Sequence, residues 1–403
     1  MKAIFLFFCL VVLGVAYENP AAAYCNALGF DFEISKDSVG NEIDECILPD
    51  ATRLDAWKFM RGEAGEEYSY CSKMNMQTKS ITRTHDGYKT QVAVCESINK
   101  KGVLEQTDML ELMRNNGDLV IKSKKKLSTE YLPVTQKTLK NYSKKSYPAS
   151  LDWRNYNGKS YIGPVRSQGM CGSCYAFGAV AAAEGSYNLA YGLSDSKNID
   201  FSEAYIAFCL GSNGPYGDGI GGSGNFDGCD GADYDYAELE ALTIEGVTLE
   251  ENLPYSDDPN DFLDCDYTAF ETTIFKQWGR VPSNDVNGIQ HVLSTYGVID
   301  AAVYVTDDFE AYTGGIFSDS AVSCDYGAYT TVNHAIALVG WGTDETHGLY
   351  WILRNSWGSG WGEDGYMRIA AHASRVSCAA TYLESFPKAT SPVNPSVLTY
   401  LLN

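Results

Sequence analysis

The reading of this chain turns on Pro164-Val165-Arg166-Ser167-Gln168-Gly169-Met170-Cys171-Gly172-Ser173-Cys174-Tyr175-Ala176-Phe177. The residues that follow, Gly178 to Tyr191, are rich in Ala and contain no Pro, so they favour a helix. Cys174 then falls at a helix N-terminus. There the unpaired N–H groups and the helix dipole favour an anion, so a thiolate is stabilised. A thiolate is the competent form of a cysteine nucleophile.

Such a nucleophile needs a base. The chain has five His. His85 lies in the N-terminal part, His291 in a predicted helix from Gly288 to Tyr296, His347 in a turn and His372 in a small polar stretch. His334 opens the apolar run Ala335-Ile336-Ala337-Leu338-Val339, whose flanks would hold an imidazole rigidly beside a cleft. An imidazole in turn needs an orienting partner. Tyr350-Trp351-Ile352-Leu353-Arg354-Asn355-Ser356-Trp357-Gly358 supplies one, because Asn355 ends an apolar strand and its amide oxygen accepts an N–H without adding a charge. Trp357 is placed to cover that bond.

Together these three segments resemble the papain family of cysteine peptidases over Tyr147 to Pro387. The resemblance implies an α+β, two-lobed fold, with a helical lobe bearing Cys174 and a β-barrel-like lobe bearing His334 and Asn355. It implies Cys174 as nucleophile, His334 as general base and acid, and Asn355 as its orienting partner, shielded by Trp357. Gln168 and the Cys174 backbone N–H would form the oxyanion hole. It also implies the bridges Cys171–Cys229, Cys209–Cys265 and Cys324–Cys378. Candidate substrate contacts, again by resemblance, are Gly231, Ala232, Asp233, Tyr234, Ala302, Ala335, Leu383 and Trp357. Leu383 at the base of a pocket would favour an apolar side chain.

The chain departs from the family pattern in places. Tyr175 replaces the commoner Trp, as in dipeptidyl-peptidase members, and the subsite loop reads Cys229-Asp230-Gly231-Ala232. No His-bearing occluding insertion is visible, so endopeptidase is the expected mode, with a dipeptidyl-peptidase-like exopeptidase as the alternative. A rival of another class is a non-catalytic binding protein on the same scaffold.

The segment before Tyr147 has another character. Residues 1–16 read as a signal peptide, with Lys2, an apolar run from Ala3 to Leu13, and Gly14-Val15-Ala16 before Tyr17. Twelve Cys less Cys9 of that leader leave an odd eleven, which in an oxidising compartment suggests one free reactive thiol or an intermolecular bond. Residues 17–98 hold two Cys-bounded units, Tyr24-Cys25 to Cys46 and Tyr70-Cys71 to Cys95. Each is expected to be β-rich and stapled by one bridge, Cys25–Cys46 and Cys71–Cys95. The first resembles a small bacterial module named for haemolysins. Residues 99–146 read as a pro-region, with an amphipathic helix from Val103 to Arg114 and a Lys-rich linker from 122 carrying an expected glycosylation acceptor at Asn141. The peptidase domain spans 147–387, and 388–403 form a tail.

Of 403 residues, 30 are Lys or Arg and 52 are Asp or Glu, a net charge of −22 that argues against nucleic acid as a partner. Residues 17–146 balance at 19 basic and 19 acidic, whereas 147–403 hold 10 basic and 33 acidic. The expected protein is a monomeric zymogen of the secretory pathway, bound for a lysosome, a vacuole or the outside of the cell. Its expected partners are protein or peptide substrates and its own pro-region, with no cofactor, metal or transmembrane segment. Activation is expected near Ser146–Tyr147, and the lysines are expected to lie on the acidic domain and loosen in acid.

Overall fold

A computed structural model describes residues 15–125, 139, 142, 146–217, 225–233, 236–319 and 332–387. Asn141, Tyr234, Cys324, the tail and most of the Lys-rich linker lie outside the described residues.

The peptidase part is built on the helix Cys174–Tyr191, which is buried on almost every face. Two glycines about two helical turns apart set how closely it approaches the neighbouring strand Ile299–Val303 and Val298 just before it. A Cβ at Gly178 would meet Asp300 Oδ1 at 2.2 Å, and one at Gly185 would meet Val298 Cγ2 at 2.4 Å. Gly192, at φ 67°, closes the helix by donating to Asn188 and Leu189 carbonyls.

Opposite the helix stands a twisted, mainly antiparallel sheet. In order it holds Gln277–Val281, Ala379–Glu384, Ile299–Val303, His334–Asp344, Gly348–Arg354, Tyr366–Ala370 and Tyr312–Phe317. Helix and sheet share one core in which Cys174, Ala232, Ala302, Ala335 and Leu383 all take part. The helical lobe and the β lobe are the two halves expected from the sequence.

The N-terminal residues form two units of one plan, each a short helix, three strands and a second helix. The first comprises Pro20–Ala27, Asp31–Lys36, Glu42–Ile47, Arg53–Asp55 and Ala56–Met60. The second comprises Tyr70–Lys73, Gln77–Thr84, Tyr88–Ile98, Leu104–Asp108 and Met109–Asn116. Cys25–Cys46 and Cys71–Cys95 are bridged at matching places, from opening helix to second strand. The second unit therefore runs past residue 98. The helix expected over Val103–Arg114 is a strand followed by a helix. Leu104–Asp108 pairs with Val94–Ile98, and Asp108 then caps the helix by accepting from the Leu110 and Glu111 N–H groups. Val103, where the expected helix starts, stays exposed.

These units are not appended loosely. The strand Tyr88–Ile98 pairs with Tyr312–Phe317, so the second unit extends the peptidase sheet to eleven strands among the described residues. The glycine-rich stretch Gly211 to Gly228, whose composition reads as a long surface loop, is anchored at both described ends. Gly211 is buried there, and Phe226 is buried against Tyr216 at 5.1 Å.

Candidate active site

Cys174 is the first residue of its helix, and the Tyr175 N–H of the first turn faces its sulfur. It is buried and is the one free cysteine among the described residues. The Ala335 N–H points at its Sγ from 3.5 Å, which places the start of the strand His334–Asp344 directly against the thiol. His334 Nε2 lies 2.7 Å from Asn355 Oδ1, leaving Nδ1 as the nitrogen without a hydrogen-bond partner in the buried site. That pairing makes Nε2 the N–H of the neutral ring and Nδ1 its base. Trp357 stacks on the imidazole at 4.7 Å and 25° and excludes water from the His–Asn bond.

Gln168 is fixed beside them. Its Oε1 accepts from Ser356 Oγ at 2.7 Å, and its backbone N–H donates to the Ser356 carbonyl. The bridge Cys171–Cys229 ties the nucleophile turn to the loop Asp230-Gly231-Ala232. Gly231 sits at φ 91°, a conformation glycine adopts without strain. Tyr175 is buried, and its hydroxyl donates to the Gly228 carbonyl at 2.9 Å behind the same loop. Ala302 pairs with Ala335 across the sheet, Leu383 is fully buried below them, and Asp233 continues the loop at partial exposure. Cys209 and Cys265 are bridged, and so is Cys378, whose expected partner Cys324 lies outside the described residues.

The cleft is not empty. The strand Val15–Tyr17 runs through it antiparallel to Gly231–Ala232, with Val15 opposite Ala232. The Tyr17 N–H faces the Cys174 sulfur. The Tyr17 carbonyl accepts from Gln168 Nε2 at 2.9 Å, and the Cys171 carbonyl accepts from the same nitrogen at 2.8 Å. Both amide hydrogens of Gln168 are thereby engaged. The Tyr17 ring lies 6.2 Å from His334 and 6.0 Å from Trp357, and its hydroxyl donates to Glu310.

The first N-terminal unit then covers the Trp357 side. Trp57 stacks on Trp357 and donates its indole N–H to the Trp357 carbonyl at 2.9 Å. Glu42 accepts from the Ser167 N–H at 2.7 Å and pairs with Arg166 at 3.1 Å. Asp44 accepts from Asn19 at 2.6 Å. None of Tyr17, Glu42, Asp44, Trp57 or Glu310 stands out in the sequence as a site residue. The one available cue is that Tyr17 directly follows the small-residue cleavage motif.

Enclosure sets the electrostatics. Burial pushes the Cys174 thiol up to about 12, although the Ala335, Tyr17 and Tyr175 N–H groups oppose the shift. Burial pulls His334 down to about 4, against the stabilising bond to Asn355. With the cleft filled, thiol and imidazole are both neutral between those limits.

The family described as papain family cysteine protease matches residues 147–387, and a domain of unknown function, DUF333, matches residues 16–63. Fruit bromelain of Ananas comosus is 32% identical over 258 residues, covering 62% of this chain and 63% of bromelain. Macrodontain-1 of Ananas macrodontes is 31% identical over 249 residues, covering 60% of this chain and 98% of that protein. A cathepsin L-like protein of Caenorhabditis elegans is 32% identical, with 60% and 64% covered. Against several of these curated relatives the matched region spans less than two thirds of their length. Among solved structures, the digestive procathepsin L 3 of the Tenebrio molitor larval midgut has a TM-score of 0.50 at 30% identity, covering 64% of this chain and 75% of that one. A buried free thiol at a helix N-terminus, facing a His–Asn pair across a two-lobed cleft, is thus matched by the family comparison over more than half the chain, which belongs to the papain family of cysteine proteases.

Proposed function

We propose that this chain is the zymogen of an endopeptidase in which Cys174, His334, Asn355 and Gln168 hydrolyse peptide bonds. The reading rests on one observation: an extended segment of the chain itself lies in register with Gly231–Ala232 and puts a backbone amide against Cys174. A substrate bound the same way presents its carbonyl carbon to the thiolate. Sγ bonds to that carbon, the C–N bond breaks, and the amine leaves with a proton from His334. Water then attacks the thioester with His334 as base, releasing the acid and restoring the thiol. Asn355 keeps the ring in the tautomer that faces the sulfur. Gln168 stabilises the oxyanion together with the Cys174 N–H, and losing one such donor costs about 3 kcal/mol in the transition state.

The two N-terminal units hold this machinery off. With the segment that leads into them they fill the cleft with Tyr17, whose carbonyl takes one hydrogen of the Gln168 amide, and they exclude the water that an ion pair needs. Removing the leader between Ala16 and Tyr17 would leave an α-amino group at Cys174, with Tyr17 still seated beside His334. Activity therefore requires release of residues 17–146, by a cut near Ser146–Tyr147. A leader at 1–16, a glycan at Asn141 and the disulfides suit a protein of the secretory pathway, either extracellular or in a lysosome or vacuole. The described residues contain no helix long and apolar enough to cross a membrane.

The test is hydrolysis of a peptide library by the full chain and by the form starting at Tyr147. The processed form should cut within peptides and the full chain should not. Release of dipeptides only, from free N-termini, would replace the endopeptidase mode.

A further inference from the structure

One glutamate of the first N-terminal unit is bonded to the peptidase part through all of its polar groups. The Glu42 N–H donates to the Val165 carbonyl at 2.9 Å. Its carbonyl accepts from the Ser359 N–H at 2.8 Å and from Ser359 Oγ at 3.1 Å. One carboxylate oxygen accepts from the Ser167 N–H at 2.7 Å, and the other from Arg166 Nη1 at 3.1 Å. Asn41 adds its Oδ1, which accepts from the Val165 N–H at 2.9 Å. Within its own unit, Lys36 reaches the same carboxylate only at 3.6 Å.

The groups that hold Glu42 are built into the peptidase. The segment Val165–Gln168 spends one edge on its neighbour, since the Gly358 N–H donates to the Arg166 carbonyl and the Gln168 N–H to the Ser356 carbonyl. Its other edge turns the Val165 N–H and carbonyl and the Ser167 N–H to Asn41 and Glu42. Arg166 is 8% exposed, and Asp200 holds its Nη2 at 2.6 Å, which fixes the guanidinium with Nη1 toward Glu42. Glu42 precedes the expected processing site. Its departure leaves this edge unoccupied beside Gln168 and Trp357, at the margin of the cleft.

We propose that this edge is, in the processed enzyme, a binding site outside the catalytic cleft for an extended protein segment that presents glutamate. This rests on the zymogen reading above. The ligand adds along the edge through its backbone, and its carboxylate bridges Arg166 and the Ser167 N–H. Aspartate is one methylene too short to span both while its backbone stays on Val165. Glutamine turns an NH2 toward one of the two donors.

The probe is the capped tetrapeptide Asn-Glu-Ile-Asp, the sequence of residues 41–44, added to the processed enzyme after a peptidyl epoxide has blocked Cys174. Amide NMR shifts of Ser167 and Ser359 report binding. They should move saturably. The peptide with Gln in place of Glu should bind about tenfold more weakly, as expected for bonds to a charged acceptor. Peptides with Asp there, or with an N-methylated Glu that cannot donate to Val165, should also be weaker. The full chain carrying Cys174→Ala should not respond, because Glu42 fills the site. No shift at Ser167 and Ser359, equal binding of the Glu and Gln peptides, or an equal response of the full chain overturns the proposal. Before blocking, the same enzyme is assayed for dye release from a peptidyl amide. Dye release with failed binding would leave the peptidase reading standing, and binding without dye release would overturn that reading but not the site.

Discussion

Cys174 is reactive only where its proton can leave and an imidazolium can face the thiolate. In the closed chain burial forbids both, since the thiol is held at about 12 and the imidazole at about 4. Opening the cleft should bring them toward each other, so a thiol reagent at pH 7 should modify the processed form much faster than the full chain. Cys174→Ala should abolish peptide hydrolysis in the processed form. Gln168→Ala should lower kcat by about 10²-fold with KM little changed, because its bond strengthens at the oxyanion. A change confined to KM would mean that Gln168 only binds substrate. That Cys174, His334, Asn355 and Gln168 meet in one site was legible at this scale because each sits in its own local motif. Tyr17 and Glu310 were not, because they meet across 293 positions and neither neighbourhood hints at the other.

At the scale of elements, the position of the nucleophile depends on how closely its helix lies on the sheet. Gly185→Ala would push a methyl into Val298, and overpacking of this kind costs roughly 1–3 kcal/mol. The expected result is a lower urea midpoint at an unchanged slope. The docked units depend on Trp57, which is fully buried against Trp357. Trp57→Ala should weaken docking by about 3 kcal/mol or more, and so speed probe labelling of Cys174 in the full chain by about 10²-fold. Unchanged labelling would place the lock elsewhere. The sequence did show a repeat of two Tyr-Cys units, since the bridging cysteines mark it. It did not show that Leu104–Asp108 is a strand, because the partner Val94–Ile98 and the Asp108 cap decide that, not the apolar spacing.

For the whole molecule, the excess of acid in the peptidase part is partly internal. Burial raises Glu184 to about 7, against the attraction of Arg354, and raises Glu250 to about 7. Burial also raises Glu203, next to Glu250 and Arg166. Each folded-state value lies above the unfolded one, so between pH 4.5 and about 7 the folded chain binds more protons than the unfolded chain. The stability these carboxyls contribute is therefore greatest in acid and falls as pH rises through that window, offset in part by His334, whose lowered value acts with the opposite sign. For Glu184 the loss is about 3 kcal/mol. The Tm of the Cys174→Ala protein should be several degrees higher at pH 5 than at pH 8, and Glu184→Gln should flatten that difference. The same sign applies to docking. Burial raises Asp44 to about 7, against its bonds to Ser167, Asn19 and Trp57 and with the Glu42 charge adding to the rise. Acid therefore strengthens this contact, opposite to the loosening expected of the lysines. Of those, Lys122 pairs with Glu18 at 3.4 Å, within the N-terminal part rather than on the acidic domain. The charge boundary near residue 146 was legible in the sequence, but the burial that inverts the pH response was not. The central claim, a Cys174 peptidase held shut by its own N-terminal units, is tested most directly by titrating both forms with a peptidyl epoxide. The processed form should take up one equivalent on Cys174 and lose all hydrolysis in proportion, while the full chain stays unlabelled. Hydrolysis that persists after complete labelling, or equal labelling of both forms, would contradict it.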